Sequence, residues 1–216
     1  MIRTSTLLFL CALVSLAGCG KSGDSGSGGS SGSSSSGGGS SGSGESSTPS
    51  LYAQNDSADN LKGLLDTIMK SSEGGDHKKA AALIRGILPG KAALSKAVKD
   101  DAPAGFIDEC VKQSESIPTD DAQVAGLFKR GGADRTEIQA HGATTEEIAA
   151  YANGSVPFKE FPGGAKKLAE QVLRPGVKFY EVEFVAPGED SGMKFHMFFY
   201  DGSGWRMLGP AWRALK

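Results

Sequence analysis

Four ionisable side chains near the end of the chain have types that could support acid–base chemistry: Glu181, Glu183, Lys194 and His196. An antiparallel strand pairing places Glu183 opposite Lys194 and Glu181 opposite His196, all on one face of a sheet. Two interpretations are open. The charges could alternate on the solvated face of a hairpin, as is usual in antiparallel sheets. If helices cover both faces, Glu181 and His196 become catalytic candidates, because a buried carboxyl group beside an imidazole can transfer protons.

The other residues with chemical potential show no recognised spacing. The remaining histidines, His77 and His141, stand far from each other and from His196, and Cys110 has no second cysteine at CxxC distance. Neither a metal site nor a cofactor is therefore expected. Cys110 lies on an apolar helical stripe without a nearby base, so we expect a buried, unreactive thiol, with a nucleophile as the alternative.

The segment that must position the acid–base candidates runs from Val177 to Trp212 and alternates apolar and polar residues with period two. This pattern predicts antiparallel strands. The favoured register has one wholly apolar face, with the pairs Phe184–Met193, Val182–Phe195 and Tyr180–Met197, and a mostly polar face on which Phe179 meets Phe198. Trp205 and Met207 are expected in the core, with Arg206 pointing outward.

Upstream, apolar residues recur at helical spacing and predict a series of amphipathic helices. The stripes are Leu61–Met69, Ala80–Leu88, Ala93–Val98, Phe106–Val111, Val124–Phe128 and Ala165–Leu173. Asp56 or Ser57, Asp76, and the Thr144/Glu147 capping box mark helix starts. A short strand is expected over Arg135–His141, and Gly163-Gly164 is interpreted as a turn rather than an anion site. The predicted class is α+β, with N-terminal helices packed on a C-terminal antiparallel sheet.

The N-terminus combines Arg3 with an apolar run, Leu7–Leu16, which is too short to span a bilayer. The following residues, Leu16-Ala17-Gly18-Cys19, resemble the lipobox of bacterial lipoproteins. The resemblance implies a signal peptide over residues 1–18 and a mature chain that begins at Cys19, modified with acyl chains such as palmitate. The bilayer would then be a partner, because several acyl chains hold a protein to it stably. An ordinary secretory signal with an incidental cysteine is the alternative.

Location and domain boundaries follow from the same region. Gly20 is not the aspartate that commonly retains lipoproteins at the inner membrane, so the resemblance favours the outer membrane in an organism that has one. The cell membrane is the alternative, and in either case the protein would face the periplasm or the exterior. Almost every residue from Gly20 to Ser47 is Gly or Ser, a composition that cannot bury apolar surface. Residues 19–54 are therefore expected to form a disordered tether, and residues 55–216 a globular domain.

The overall charge excludes one class of partner. The chain has 23 Lys and Arg against 25 Asp and Glu, a net charge of −2. Nucleic-acid binding depends on clustered cations, so this balance argues against it. With Cys11 in the signal peptide and Cys19 acylated, only Cys110 would remain, and no intramolecular disulfide is expected.

The layout of the domain resembles a known superfamily. An opening helical hairpin with the turn sequence EGGDHKKAAALI, further helices, and long C-terminal strands ending near Trp205 and Arg206 are similar to nuclear transport factor two, ketosteroid isomerase and the SnoaL-like cyclases. This resemblance implies a cone-shaped, cystatin-like sheet curled around a pocket. That pocket is catalytic in some members and binds ligands in others, and no member's catalytic residue can be matched to a position here.

Together these features predict a membrane-anchored cell-envelope lipoprotein whose domain binds a protein partner or a small ligand. The alternative is a small cofactor-free enzyme of the cyclase or isomerase kind, which would use Glu181 and His196 in a pocket on the sheet. A deep apolar pocket containing a buried carboxylate would favour the enzyme.

Overall fold

The computed structural model describes residues 56–215 and opens with two antiparallel helices, α1 (Ala58–Glu73) and α2 (His77–Ile87). The Ser57 side chain accepts the Asn60 N–H at 3.3 Å, and Asp76 accepts the Lys79 N–H at 3.1 Å, so the predicted helix caps are confirmed. The signal peptide, Cys19 and the tether predicted over residues 19–54 lie outside the described residues.

Six further α-helices and a short 3₁₀ helix follow within the described range. They are α3 (Lys91–Ala97), α4 (Phe106–Glu115), α5 (Asp121–Ala125), α6 (Thr145–Ala150), α7 (Val156–Glu160), α8 (Gly163–Gln171) and the 3₁₀ helix (Ala211–Ala214). The capping box of Thr144 and Glu147 is present at the start of α6. Between residues 56 and 215, no helix is both long and apolar enough to cross a membrane.

Four antiparallel strands form one sheet in the order β1-β2-β3-β4. They are β1 (Glu137–Thr144), β2 (Lys178–Val185), β3 (Met193–Tyr200) and β4 (Trp205–Met207). The predicted α+β class, with helices first and an antiparallel sheet at the C-terminal end, is confirmed, whereas the cone shape is not confirmed. Strand β1 extends three residues beyond the predicted end at His141, up to the cap of α6.

The predicted register of β2 and β3 is correct on the hairpin side and fails at a bulge. Glu181 faces both His196 and Met197, and the pairing shifts by one residue beyond that point. Met197 has φ of +59°, a left-handed conformation that is uncommon outside glycine. The predicted pairs Tyr180–Met197 and Phe179–Phe198 are therefore wrong, and the observed pairs are Tyr180–Phe198 and Phe179–Phe199.

Helices cover both faces of the sheet. On the face that carries Tyr180, Val182, Phe184, Phe195 and Phe198, which we call the Tyr180 face, α1, α2 and α5 pack to form one apolar cluster. On the other, the Phe179 face, α3, α4, α6, α8 and the 3₁₀ helix pack against Phe179, Met197 and Phe199. The interpretation of the polar face as a solvated hairpin surface is therefore wrong, because the second set of helices excludes water from most of it.

Candidate functional site

The two catalytic candidates form a buried pair on the Phe179 face. Glu181 is 1% exposed and His196 is 5% exposed, and Glu181 Oε2 lies 2.6 Å from His196 Nδ1. Burial raises the pKa of Glu181, because the charged carboxylate loses its hydration, while the contact with His196 acts in the opposite direction. The register thus brings together the two residues that the sequence placed opposite each other.

Both carboxylate oxygens of Glu181 are engaged within the protein. Its second oxygen, Oε1, accepts the backbone N–H of Met197 at 3.2 Å. The carbonyl oxygen of Met197 in turn accepts the N–H of Leu208 at 2.9 Å, in the segment after β4. At the bulge the N–H of Met197 is not used in the strand ladder, so the carboxylate satisfies a buried donor that would otherwise cost free energy. This arrangement gives Glu181 a structural role.

The polar face continues towards the hairpin as a second group of charges. Lys194 Nζ lies 3.2 Å from Glu183 Oε2 and 3.2 Å from Glu160 Oε2, and Glu183 also accepts the backbone N–H of Gly192. Burial alone would lower the pKa of Lys194, but the two carboxylates outweigh it and the pKa is raised. Glu183 is therefore paired as the sequence predicted, and Glu160 is a partner that the sequence did not reveal.

His141 joins this polar cluster, which we define as His141, Glu160, Glu181, Glu183, Lys194 and His196. It stands opposite Glu181 on β1, and its Nε2 is 3.9 Å from Glu160 Oε2. That nitrogen is buried without a hydrogen-bond partner among the described residues. Sequence reasoning missed His141 because β1 was predicted too weakly to be paired with β2. His141 was already part of the predicted strand, and only the pairing of that strand with β2 would have placed it beside Glu181.

Trp212 of the 3₁₀ helix covers the buried pair. Its ring stands edge-on to His196 with centroids 5.3 Å apart. A side chain on Gly164 would lie 2.4 Å from the indole ring, so glycine is required where α8 meets Trp212. Gly163 and Gly164 form the first turn of α8, and the glycine at 164 is explained by this packing rather than by an anion site.

A separate apolar cleft opens beside the edge strand β4, with a cavity of about 100 Å³. The ends of α2 and α4, the segment after α5 and residues 207–213 surround it. Its apolar lining includes Ile84, Leu88, Cys110, Phe128, Met207 and Leu208. Cys110 is buried, as predicted, and burial together with the charge of Glu109 raises its pKa to about 12. Its thiol is thus kept protonated on the cleft wall.

The cleft and the polar cluster do not coincide. No residue of the polar cluster lines the cleft. Within residues 56–215 no group of three or more His, Cys, Asp or Glu side chains is arranged to hold a metal ion. The sequence did not predict the cleft, since its lining residues belong to stripes that read as ordinary core. Pro89 and Pro210 predict turns in this region, but a turn signal does not indicate a cavity.

Comparisons with protein-family models, with curated proteins and with solved structures found no match to this chain. The fold defines an α+β domain with a sheet covered on both faces. Its lipobox and its resemblance to the nuclear transport factor two superfamily stay predictions from the sequence.

Proposed function

We propose that this chain is a lipid-anchored protein of the bacterial cell envelope whose domain binds a protein partner in the cleft beside β4. In this proposal acylated Cys19 attaches the protein to the bilayer, and residues 19–54 form a flexible tether that lets the domain reach its partner. The sequence LAGC supports the attachment. The single observation that carries the binding function is the apolar cleft.

The size of the cleft favours a partner's side chain over a free small ligand. Pockets for drug-sized ligands usually measure about 300 Å³ or more. A cavity of about 150 Å³ holds one benzene molecule, and the cleft offers about 100 Å³. This volume suits one aliphatic side chain of a partner. Most of that partner would lie outside the cavity, on the rim formed by the residues that line the cleft.

Burial of such a side chain contributes part of the free energy of binding. Transfer of a Leu-sized side chain from water to an apolar site gives about 1.5–3 kcal/mol, which corresponds to about ten- to a hundredfold in the dissociation constant. A stable complex needs more than that, so the cleft acts as the central anchor of a larger contact.

The cofactor-free enzyme remains the alternative, and one observation favours it. Glu181 combines a raised pKa with an imidazole at 2.6 Å, a pair suited to proton transfer. However, both oxygens of Glu181 are occupied internally, Trp212 covers His196, and neither residue lines the cleft. We therefore rank partner binding above catalysis.

The experiment that tests the binding function compares two matched variants of the full chain in its native envelope. Ser114→Phe places a ring in the cleft, which Ser114 lines. Glu115→Phe adds the same ring at the next position of α4, on an exposed residue outside the cleft. After mild detergent extraction, a partner should co-purify with the wild type and with Glu115→Phe, and be lost with Ser114→Phe. Equal retention by all three proteins would contradict the proposal.

The anchor is tested on the same preparation by mass spectrometry of the mature N-terminus. The proposal expects acyl chains on Cys19 and no residue before it. The Cys19→Ala variant should leave the membrane fraction. An unmodified Cys19, or a wild-type protein recovered free of lipid, would remove the anchor without affecting the argument about the cleft.

A further inference from the structure

The cleft contains one charged group whose counter-ion is missing from the described part of the chain. Arg213 is the only charged residue among those that line the cleft, and it is exposed. Four other arginines between residues 56 and 215 form ion pairs within 4.0 Å: Arg85–Asp121, Arg130–Glu73, Arg174–Asp100 and Arg206–Asp201. Arg135 and Arg213 have no such partner in that range, but Arg135 Nη1 donates to the carbonyl of Arg130 and only Arg213 lines the cleft.

The remaining polar groups of the cleft are neutral. Ser114 Oγ donates a hydrogen bond to the carbonyl of Cys110, and Ser116 Oγ donates to the carbonyl of Gln113, so both hydroxyl hydrogens are used by α4 itself. The side-chain amide of Gln113 has no hydrogen-bond partner within residues 56–215, and it can both donate and accept. The cleft thus combines an apolar cavity, one guanidinium group and one available amide.

From this combination we propose that the occupant is the C-terminal residue of a partner protein, with its apolar side chain in the cavity and its free carboxylate on Arg213. This inference rests on the proposed function. A terminal carboxylate is attached to the same Cα as the side chain, so it places a charge within a few ångströms of an aliphatic group. Guanidinium and carboxylate form strong bidentate hydrogen bonds. Capture of a C-terminal carboxylate is a known mode of peptide recognition.

Gln113 favours a peptide over a free fatty acid. A peptide presents backbone N–H and C=O groups next to its terminal residue, and the amide of Gln113 can pair with either. A fatty acid offers no such groups. Its chain would also need a longer cavity than one of about 100 Å³.

The test uses two short peptides that differ only in their last group, acetyl-Gly-Ser-Ser-Leu as the free acid and as the C-terminal amide. Binding to the full chain is measured by calorimetry and by the change in tryptophan fluorescence, because Trp212, one of the two tryptophans, neighbours Arg213. The free acid should bind about ten- to a hundredfold more tightly than the amide, the range expected for hydrogen bonds between charged groups. Arg213→Gln should abolish this preference, and Arg213→Lys should retain part of it.

The control is Lys112→Gln, which removes an exposed charge from α4 outside the cleft and should leave the preference unchanged. Each variant is accompanied by a urea unfolding curve, so that a loss of binding is not confused with a loss of fold. Octanoate, a short fatty acid, is measured alongside the two peptides. The inference would be overturned if the acid and the amide bound equally or if neither bound. It would also be overturned if octanoate bound more tightly than the peptide acid. In each case the Ser114→Phe comparison of partner retention still decides separately whether the cleft is the docking site.

Discussion

The carboxylate of Glu181 accepts the backbone N–H of Met197 at 3.2 Å, and Met197 is the residue at which β3 bulges against β2. A non-glycine residue in the left-handed region costs on the order of 1–3 kcal/mol. The hydrogen bond to Glu181 and the burial of the Met197 side chain offset that cost. The bulge in turn sends the carbonyl of Met197 to the N–H of Leu208, a wall residue of the cleft. The buried pair of Glu181 and His196 therefore helps, through Met197, to hold Leu208 in the wall of the cleft.

Replacement of Glu181 tests this structural role. In Glu181→Gln the amide oxygen can still accept the N–H of Met197 and the NH₂ group can donate to His196 Nδ1, so we expect the free energy of unfolding to change by about 1 kcal/mol or less. Glu181→Ala leaves two buried groups unpaired and should cost about 3 kcal/mol. Urea unfolding measures both values. If Gln proved as damaging as Ala, the ionised carboxylate itself would be needed, which would favour the acid–base alternative.

The contact between Gly164 and Trp212 gives a second prediction. Gly164→Ala would place a Cβ 2.4 Å from the indole ring and should destabilise the protein by about 1–3 kcal/mol. Gly163→Ala is the matched control, because no atom lies within 4 Å of its Cβ and the substitution should be neutral or stabilise the helix by about 0.5 kcal/mol. The melting temperature should fall for Gly164→Ala and stay unchanged or rise for Gly163→Ala. Equal shifts would contradict the observed packing.

The turn between β3 and β4 predicts a specific pH dependence. Burial alone would raise the pKa of Asp201, but hydrogen bonds from Ser203 and Gly204 and the charge of Arg206 outweigh it, so the pKa lies below its ordinary value of 3.8. The ionised carboxylate thus stabilises the fold above pH 3.8, and this contribution disappears as the pH falls through the lower folded pKa.

Asp201→Asn should therefore lower the free energy of unfolding by about 1–2 kcal/mol at neutral pH, and the difference from the wild type should shrink below pH 3.8. Denaturant unfolding over a pH series measures this difference. A constant difference across the series would mean that the charge of Asp201 contributes nothing.

The thiol of Cys110 provides a fourth prediction. With its pKa raised to about 12, the thiolate fraction near pH 8 is on the order of a thousand times smaller than for a free cysteine. Alkylation of the native protein should be slower by a comparable factor, and an occupant of the cleft should slow it further because Cys110 lines the wall. Rates are followed by mass, with the urea-unfolded protein as the control. A native rate equal to the unfolded rate would contradict both the burial and the role of the cleft wall.

The sequence predicted most of the elements, because helical stripes such as Leu61–Met69 and the caps at Ser57 and Asp76 depend on local interactions. It failed where tertiary structure decides the outcome. The bulge at Met197 contradicts the residue's own preference and exists only because Glu181 and the surrounding core stabilise it, so alternation alone gave a register that is one residue off beyond Glu181.

The candidate site was predicted only in part, because the predicted register of β2 and β3 holds only as far as the bulge. The pairs Glu181–His196 and Glu183–Lys194 lie before or at the bulge, where the register holds. Glu160 comes from α7, far along the chain, and no pattern connects it to Lys194. The cleft arises between elements that each satisfy an ordinary core pattern, and only their arrangement leaves a cavity of about 100 Å³.

Site-specific photo-crosslinking in the native envelope tests the central claim most directly. A benzophenone amino acid is placed at Ser116, an exposed residue on the rim of the cleft, and, in a matched protein, at its neighbour Glu115, which is exposed and does not line the cleft. The account predicts one discrete protein adduct from position 116 that disappears when Ser114→Phe fills the cleft, and no such adduct from position 115. No adduct from position 116, or the same adduct from both positions, would contradict the proposal that the cleft binds a partner.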